Sequence, residues 1–306
     1  MTTKLAHPYK NHPEPYCWDT EKIDDIEELY EWLKIQPRFP QMTKNHVHQF
    51  LHSCYYNKEE TKKAFHRYAE LRSSAPECFG IRDPLLPAMQ NVYTATNMVA
   101  LPKLTQDGYR ILSYRLKDFN PTRLIFGECV KAFNMFNDVV ISEDGPINGY
   151  VVVFDMEGVC LRHLTRVQIG PLRNFMAYIQ EAHPVRLKKI YIVHAAWFVN
   201  QAFAIARPFI KTELMSLLHF TTNGPDEIFP LELLPIDYGG KLKSLDEFHE
   251  EQKERLEKEY REWLIDSSNL KLLPKEKKSD KKQQILDDNA NACDPPIKSF
   301  NTLAID

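Results

Sequence analysis

Apolar residues in the first part of the chain recur at the spacing of short amphipathic helices. One face comprises Ile23, Ile26, Leu29, Tyr30 and Leu33, and a second comprises Val47, Phe50, Leu51, Cys54 and Tyr55. Steps of three and four residues are typical of a helix that buries one side. Pro37 and Pro40 separate the two faces, and Asn57 followed by Glu60 indicates the start of a third helix. We therefore predict a small all-helical subdomain over residues 20–80.

From residue 85 the pattern changes to alternating strands and helices. Strands are predicted at 109–115, 150–154 and 190–193, and helices at 122–140 and 171–179. The strand at 150–154 has no polar alternation, which is typical of a sheet covered by helices on both faces. The order strand, helix, strand predicts a parallel crossover. Residues 85–245 are therefore predicted to form an α/β domain.

Residues 246–306 are predicted to form a charged helix followed by a disordered tail. Ser244 and Glu247 have the spacing of a capping box, and a single apolar stripe follows, formed by Leu245, Phe248, Leu256, Tyr260 and Trp263. We expect this helix to fold back onto the body of the protein. From Pro274 onward the residues are too polar to bury.

The segment after Ala196 is unusually apolar. One face carries Val199, Phe203, Ala206, Ile210, Leu214, Leu217 and Leu218, with Pro208 interrupting it. Such a stripe most often packs in a core. Trp197, Phe198, Ile205 and Phe209 lie off the stripe, however, so burial of one face leaves other apolar residues to cover. We keep two interpretations open, a core helix and a lid helix over an apolar cavity that also contacts membranes.

Composition adds three constraints. The chain has 306 residues, 43% hydrophobic and 26% charged, as is ordinary for a globular protein. Its net charge of -3 gives no general basic surface for nucleic acid. The N-terminus lacks the apolar core of a signal peptide, and no run is long enough to span a membrane. We expect a cytoplasmic protein that meets membranes transiently, and no nucleic-acid partner.

The sequence gives only weak signals for catalytic or metal-binding groups. Asp155 and Glu157 lie two residues apart near a strand end and form only a weak candidate for an acid-base pair, and His194 is expected to be a hydrogen-bonded core histidine. His48 and His52 share a helix face without a third ligand, so we interpret them as surface histidines. Nucleophile-elbow, Walker and dinucleotide-binding motifs do not occur. We predict no catalytic residues, no metal, no cofactor and no enzymatic activity.

Four segments together resemble the CRAL-TRIO lipid-binding family, especially its alpha-tocopherol-transfer and cellular retinaldehyde-binding members. They are residues 153–158, residues 182–188, residues 207–210 and residues 234–240. The resemblance covers about residues 45–250. It implies an α/β fold with a mixed, mostly parallel sheet flanked by helices, a mobile lid helix and a preceding all-helical subdomain. The chain departs from the family at positions 52–54, where His52, Ser53 and Cys54 stand in place of arginines.

The resemblance also implies a pocket between the sheet and the lid helix. Its walls would carry Tyr150, Val159, Phe175, Tyr178, Ile179, His183, Val185, Leu187 and Ile190. The lid would contribute Val199, Phe203, Ile210 and Leu214. We expect Tyr150, Tyr178 and His183 to supply the few polar contacts that orient a ligand hydroxyl or carbonyl.

Related transfer proteins bind phosphoinositide head groups at four basic positions. Arg186 and Lys188 keep two of them, whereas Glu213 and Leu217 occupy the others. Arg207 and Lys211 lie close in sequence and are the candidate substitutes for contact with phosphoinositide or other anionic lipid. A solvated surface pair is the alternative for Arg186 and Lys188.

These features predict an intracellular carrier that holds one hydrophobic molecule and transfers it between membranes. The expected ligands are a tocopherol, a retinoid, a carotenoid or a phospholipid. The alternative is a lipid-sensing regulatory adaptor that recruits a protein partner without transfer activity. Acceleration of lipid exchange between vesicles would distinguish the two.

Overall fold

The computed structural model describes residues 20–37, 39–40 and 42–267. The N-terminal helices are α1 (Ile23–Lys34), α2 (Lys44–Ser53), α3 (Lys58–Ser74) and α4 (Pro76–Phe79). The Asn57 side chain accepts hydrogen bonds from the backbone N–H groups of Glu59 and Glu60, and so caps α3 as predicted. The three predicted amphipathic helices are present. Tyr55 departs from its predicted buried face, because α2 ends at Ser53 and the Tyr55 side chain is exposed.

A five-stranded sheet forms the centre of the remaining chain. Its strands are β1 (Thr96–Leu104), β2 (Tyr109–Leu116), β3 (Gly149–Asp155), β4 (Leu187–Val193) and β5 (Leu218–Phe220). They lie in the order β1-β2-β3-β4-β5. β1 pairs antiparallel with β2, and the other three pairings are parallel. The predicted mixed, mostly parallel sheet is confirmed.

Helices connect these strands and cover the sheet. They are α5 (Pro87–Ala95), α6 (Phe126–Asp144), α7 (Leu161–Leu164), α8 (Ile169–Glu181), α9 (Val199–Ala206), α10 (Thr212–Met215), α11 (Leu245–Lys258) and α12 (Arg261–Ser267). The predicted capping box of Ser244 and Glu247 starts α11. Leu245, Leu256 and Trp263 are buried, so α11 and α12 fold back onto the body as expected.

The two faces of the sheet pack against different elements, since alternate side chains of a strand point to opposite sides. On one face, Val151 and Val153 join a core with Leu234, Tyr238 and Leu245 from the C-terminal segment. On the other face, Leu112, Val152 and Ile190 pack with Met135 and Val139 of α6. This second face also carries the cavity described below. The N-terminal helices share a third core with α8, in which Tyr178 is buried.

The segment after Ala196 is interrupted at Pro208, as predicted, but it ends in a strand instead of continuing as a helix. It contains α9, a 3-10 turn at Arg207–Phe209, the short α10 and then the edge strand β5. Pro208 lies within the 3-10 turn and cannot donate a backbone hydrogen bond, which explains the break. Leu218 therefore belongs to a strand rather than to a helix, and the prediction was wrong at this point.

Over the described ranges, no helix is both long and apolar enough to cross a membrane. The predicted disordered tail from Pro274 lies outside the described residues. The predicted domain boundaries, near residues 80–85 and 245–246, stay predictions.

Candidate ligand cavity

An apolar cavity of about 220 Å³ lies between the sheet and α9. The strands contribute two rows of side chains in register. Leu112, Val152, Ile190 and Leu218 are paired neighbours across four strands, and Phe154, Ile192 and Phe220 form the next row of the wall. Period-two alternation along each strand places these residues on one face. The sheet therefore supplies one continuous hydrophobic wall.

Most of the residues predicted for the pocket line this cavity. They are Tyr150, Phe175, Ile179, His183, Val185, Leu187 and Ile190 from the walls, and Val199, Phe203, Ile210 and Leu214 from the segment expected to form the lid. The structure thus brings together residues that are up to 64 positions apart in sequence, from Tyr150 to Leu214. Their contact with a ligand stays a prediction.

Val159 and Tyr178 are placed elsewhere, and the prediction that they line the cavity was wrong. Val159 follows the tight turn at Gly158, where its N–H donates to the carbonyl of Met156. Tyr178 is fully buried on the opposite side of α8, against Phe79 and Tyr68 of the N-terminal helices. Tyr178 and Ile179 lie three and four residues after Phe175. Because both sides of α8 are buried, helical spacing alone does not tell which of the two faces the cavity.

Helix α9 covers the cavity with one face. Val199, Ala202, Phe203 and Ala206 line the cavity at helical spacing, whereas Ala204 on the other side is exposed. None of the eight residues of α9 is fully buried. The helix is less apolar on its outer side than we expected, because Asn200 and Gln201 are exposed there. Its outer surface is therefore compatible with water.

Both ends of this covering segment are held by hydrogen bonds. At the far end, the Gln180 side chain donates to the carbonyl of Phe209 over 2.9 Å and accepts from the N–H of Lys211 over 2.7 Å. At the near end, His194 Nδ1 lies 2.8 Å from Asp155 Oδ1, and His194 adopts a φ of 48°. A non-glycine residue in this left-handed region is conformationally strained. α9 thus lies between two fixed points.

Three polar side chains interrupt the apolar wall. Tyr150 donates its hydroxyl to Asp144 over 3.1 Å. Asn137 donates both amide hydrogens, to Tyr114 Oη over 2.9 Å and to the Phe133 carbonyl over 2.8 Å, which leaves its own oxygen as an acceptor. Nδ1 of His183 has no hydrogen-bond partner among the described residues. Asn137 was not anticipated, since an isolated asparagine in a helix gives no sequence signal.

The four basic residues predicted to contact anionic lipid are engaged in different ways. Arg186 donates to the carbonyl of His52 over 2.8 Å, and Lys188 donates to the Tyr55 hydroxyl over 3.0 Å. Lys211 forms an ion pair with Glu181 at 2.6 Å. Arg207 is exposed. Arg186 and Lys188 therefore contact the N-terminal helices rather than forming the solvated pair that was the alternative.

Two histidines of α2 are less exposed than predicted. His48 and His52 are buried, so their interpretation as surface residues was wrong. Burial, followed by the charge of Arg186, lowers the pKa of His52 to about 3. Helix α2 was expected to expose one side to water, but this side packs against the segment that contains Arg186.

Within the described part of the chain, Asp155, Glu157 and His194 form one group with metal-ligand character. The oxygens of Asp155 are already bonded. Oδ1 accepts from His194 and from the backbone N–H of Glu157, and Oδ2 accepts from the Tyr238 hydroxyl over 2.9 Å. These bonds join the ends of two strands to the loop that contains Tyr238, which is a structural role. The absence of a bound metal stays a prediction.

A mostly parallel sheet with an apolar cavity between the sheet and α9 defines an α/β protein with a covered hydrophobic space. Residues 94–240 match the family described as CRAL/TRIO domain, and residues 18–89 match the family described as Pinta-like, UBA domain. The CRAL/TRIO match lies in the central part of the chain and confirms the resemblance. Members of this family typically bind or transfer lipids.

Several known proteins are similar to the chain. A Homo sapiens protein named alpha-tocopherol transfer protein-like is 23% identical over 258 residues, which cover 80% of this chain and 71% of the relative. Clavesin-2 of Rattus norvegicus is 21% identical over 228 residues, which cover 72% of this chain and 70% of the relative. The crystal structure of Sfh5 aligns with a TM-score of 0.44 at 11% identity, covering 75% of this chain and 87% of Sfh5.

Proposed function

We propose that this protein is a carrier that encloses one hydrophobic molecule beneath α9 and transfers it between membranes. The observation that carries the proposal is the cavity itself, whose walls come from four strands, α6, α8 and α9. Among the described residues that line it, none is Lys, Arg, Asp or Glu. A water molecule finds few hydrogen-bond partners in such a cavity, whereas an apolar ligand is stabilised by leaving water.

The energetics of burial explain why a carrier needs a movable cover. Burial of roughly 500 Å² of apolar ligand surface contributes on the order of 12 kcal/mol before the costs of association. A ligand held this firmly escapes slowly into water, so its release requires contact with a membrane. The segment between His194 and Lys211 is the part of the wall whose displacement would open the cavity.

The size of the cavity also supports the proposal that its cover moves. Its volume of about 220 Å³ is below the roughly 300–1,000 Å³ that is typical of ligand pockets. Entry of a tocopherol, retinoid, carotenoid or phospholipid chain would therefore require α9 to move outward. The lack of fully buried residues in α9 keeps the cost of this movement low.

A matched pair of substitutions tests the carrier. Ala202→Trp places an indole inside the cavity, whereas Ala204→Trp places the same group on the exposed side of the same helix. We expect Ala202→Trp to abolish saturable binding of a fluorescent apolar probe and to reduce its transfer between vesicles at least tenfold, and Ala204→Trp to retain both. Native mass spectrometry after purification would show a co-purified apolar molecule only with the wild type and Ala204→Trp. Equal activity of the two variants would contradict the proposal.

The same transfer measurement separates a carrier from a regulatory adaptor. A carrier accelerates exchange of the probe between donor and acceptor vesicles in proportion to its concentration. An adaptor would bind the probe with the same cavity and leave the exchange rate unchanged. The proposal therefore requires both saturable binding and transfer.

Contact with the membrane is the second part of the proposal. The Trp197 side chain is 75% exposed directly before α9, and a tryptophan at such a position favours the membrane interface. Arg186, Lys188, Arg207 and Lys211 would add attraction to anionic lipid. We expect Trp197→Ala to weaken binding to anionic vesicles. Vesicles with phosphoinositide and vesicles with phosphatidylserine at equal charge would show whether phosphoinositide is preferred.

A further inference from the structure

Several large apolar side chains are exposed at one edge of the sheet. Strands β2, β3, β4 and β5 are parallel, so their carboxyl ends share this edge. An apolar surface that a fold leaves exposed often marks a site for a partner or a membrane. The exposed residues in the connections that leave this edge are Phe119 and Ile125 after β2, Leu161 and Ile169 after β3, and Trp197 after β4. We call these five residues and their connections the carboxyl edge.

Contacts between two of the connections make this surface continuous. The ring of Phe119 lies against the turn at Gly158, where an added Cβ atom would lie 2.1 Å from Cδ1 of the ring. The start of α6 lies against the start of α8 in the same way. There Ile125 and Arg166 line one cleft of about 390 Å³. The connections after β2 and β3 therefore form one surface rather than two separate loops.

The carboxyl edge also carries exposed positive charge. Residues 156–173 contain three arginines and a single acid. Arg162, Arg166 and Arg173 are exposed, and none of them forms an ion pair with another described residue. Cations without a counter-ion beside exposed apolar side chains are typical of a protein surface that binds anionic membranes.

We propose that the carboxyl edge is the surface with which this protein docks on an anionic bilayer. The inference rests on the membrane contact in the proposed function and assigns that contact to a surface. The exposed apolar side chains enter the boundary between head groups and acyl chains, and Arg162, Arg166 and Arg173 contact lipid phosphates. Trp197 belongs to the same edge, and tryptophan is enriched at membrane interfaces.

The carboxyl edge is distinct from the basic pair that the sequence predicts for anionic lipid. Arg186 and Lys188 lie at the opposite end of β4, roughly 20 Å from its carboxyl end at the usual rise per residue of a strand. Salt screens exposed charges beyond about 8 Å. A bilayer at the carboxyl end of an upright β4 therefore attracts this pair only weakly. Arg186 and Lys188 are also held by His52 and Tyr55, whereas the arginines of the carboxyl edge need no release before they bind.

The apolar cavity reaches the surface at the same edge. Phe220, the last residue of β5, lines the cavity and is also exposed. Its ring lies 5.4 Å from that of Phe203 in α9. Met156, directly after β3, lines the cavity as well. A protein docked by this edge would therefore release its ligand between Phe203 and Phe220 into the bilayer without a passage through water.

Removal of two arginines tests the docking surface on the full-length protein. The edge variant combines Arg162→Gln with Arg166→Gln, and a matched control combines Lys63→Gln with Lys258→Gln, two exposed lysines of α3 and α11. Both variants lose two positive charges. We expect the edge variant to bind phosphatidylserine-containing vesicles roughly tenfold more weakly in co-sedimentation, and the control to bind as the wild type does. Ile169→Gln, which changes no charge, should weaken binding as well.

The folding of these variants has its own measurement. None of the substituted residues lines the apolar cavity. Saturable binding of an apolar probe in the absence of vesicles should therefore be the same in every variant. An edge variant that binds the probe but not the vesicles would assign the loss to docking rather than to unfolding.

Amide hydrogen exchange of the wild type gives a readout that needs no variant. Vesicles with phosphatidylserine should slow exchange over residues 119–125, 160–170 and 195–199 and leave residues 54–57, beside Arg186, unchanged. Protection of residues 54–57 alone, or equal vesicle binding by the edge variant and its control, would overturn the inference. Binding of polyglutamate but of no vesicles would assign the edge to an acidic protein and also overturn it. In each case probe binding would show that the cavity still functions, whereas a wild type that binds no probe would overturn the proposed function itself.

Discussion

The guanidinium group of Arg186 lies over the ring of Tyr55, 4.3 Å from its centroid. Lys188 donates to the hydroxyl of the same tyrosine. Tyr55 and Tyr56 adopt φ angles of 52° and 63°, so the turn between α2 and α3 is strained as it presents these rings. The basic residues beside the cavity thus attach the N-terminal helices to β4. Anionic lipid that binds Arg186 would compete with Tyr55 for it.

Tyr55→Ala removes this attachment, and we expect two effects. Loss of the cation-π contact and of the hydrogen bond should lower the free energy of unfolding by about 1 kcal/mol. The effect is small because these contacts are partly exposed to water. Release of Arg186 and Lys188 should also strengthen binding to vesicles that contain phosphatidylserine. Urea denaturation and vesicle co-sedimentation measure the two effects. Tyr55→Phe is the matched control, because it keeps the ring and loses only the bond to Lys188. Weaker vesicle binding by Tyr55→Ala would argue against competition.

His52 makes the protein sensitive to acid. Its pKa is about 3 in the folded protein, mainly through burial, whereas in an unfolded chain it is about 6.5. Below pH 6.5 the unfolded chain binds a proton that the folded protein cannot bind, so stability falls as pH falls towards 3. From pH 7 to pH 5 this one group should remove roughly 2 kcal/mol. His52→Leu should show a correspondingly shallower decline in unfolding free energy over that range, and a parallel decline would exclude His52 as the cause.

The sequence was a good guide to the elements of the sheet domain and a poorer guide to the pocket. The apolar residues of β2, β3 and β4 lie between turn signals and predicted these strands, although only β3 is a continuous apolar run. The pattern did not predict β1, which begins directly after α5 at Thr96 without a turn signal between them. The edge strand β5 has only three residues, too few for a period to be recognised.

Pocket residues followed from the strand pattern only in part. Val152, Phe154 and Ile192 could have been added to Tyr150 and Ile190 by continuing each strand's alternation in steps of two residues. Tyr178 could not have been excluded from the pocket by its sequence position, since it lies on the same helix as Phe175 and both have apolar surroundings. Its burial comes from the N-terminal helices, which are a separate segment of the chain. The burial of His52 likewise depends on a contact with Arg186, 134 residues away in sequence.

Asp138 compensates two buried charges and should be indispensable for stability. Burial alone would raise its pKa, but the charges of Arg72 and Arg82 outweigh burial and hold the pKa of Asp138 below its usual value. Asp138→Asn keeps the shape and removes the carboxylate charge that both guanidinium groups contact. We expect a loss of about 3–5 kcal/mol in unfolding free energy. Glu70→Gln is the comparison, because its ion pair with Arg67 is exposed and should contribute less than about 1 kcal/mol. Similar losses in the two variants would contradict this assignment.

Gln180 fixes the end of the segment that covers the cavity, and its replacement should change the movement of α9 more than the stability of the fold. In Gln180→Leu the bonds to Phe209 and Lys211 are lost, while the ion pair of Lys211 with Glu181 remains. We expect faster amide hydrogen exchange over residues 199–211 with little change in β3 or β4, because local opening becomes less costly by about 1–2 kcal/mol. If displacement of α9 limits transfer, probe exchange between vesicles should accelerate severalfold. Gln201→Leu alters an exposed glutamine of α9 itself and should leave both rates unchanged. Faster hydrogen exchange without faster transfer would show that a step other than opening of this segment limits release.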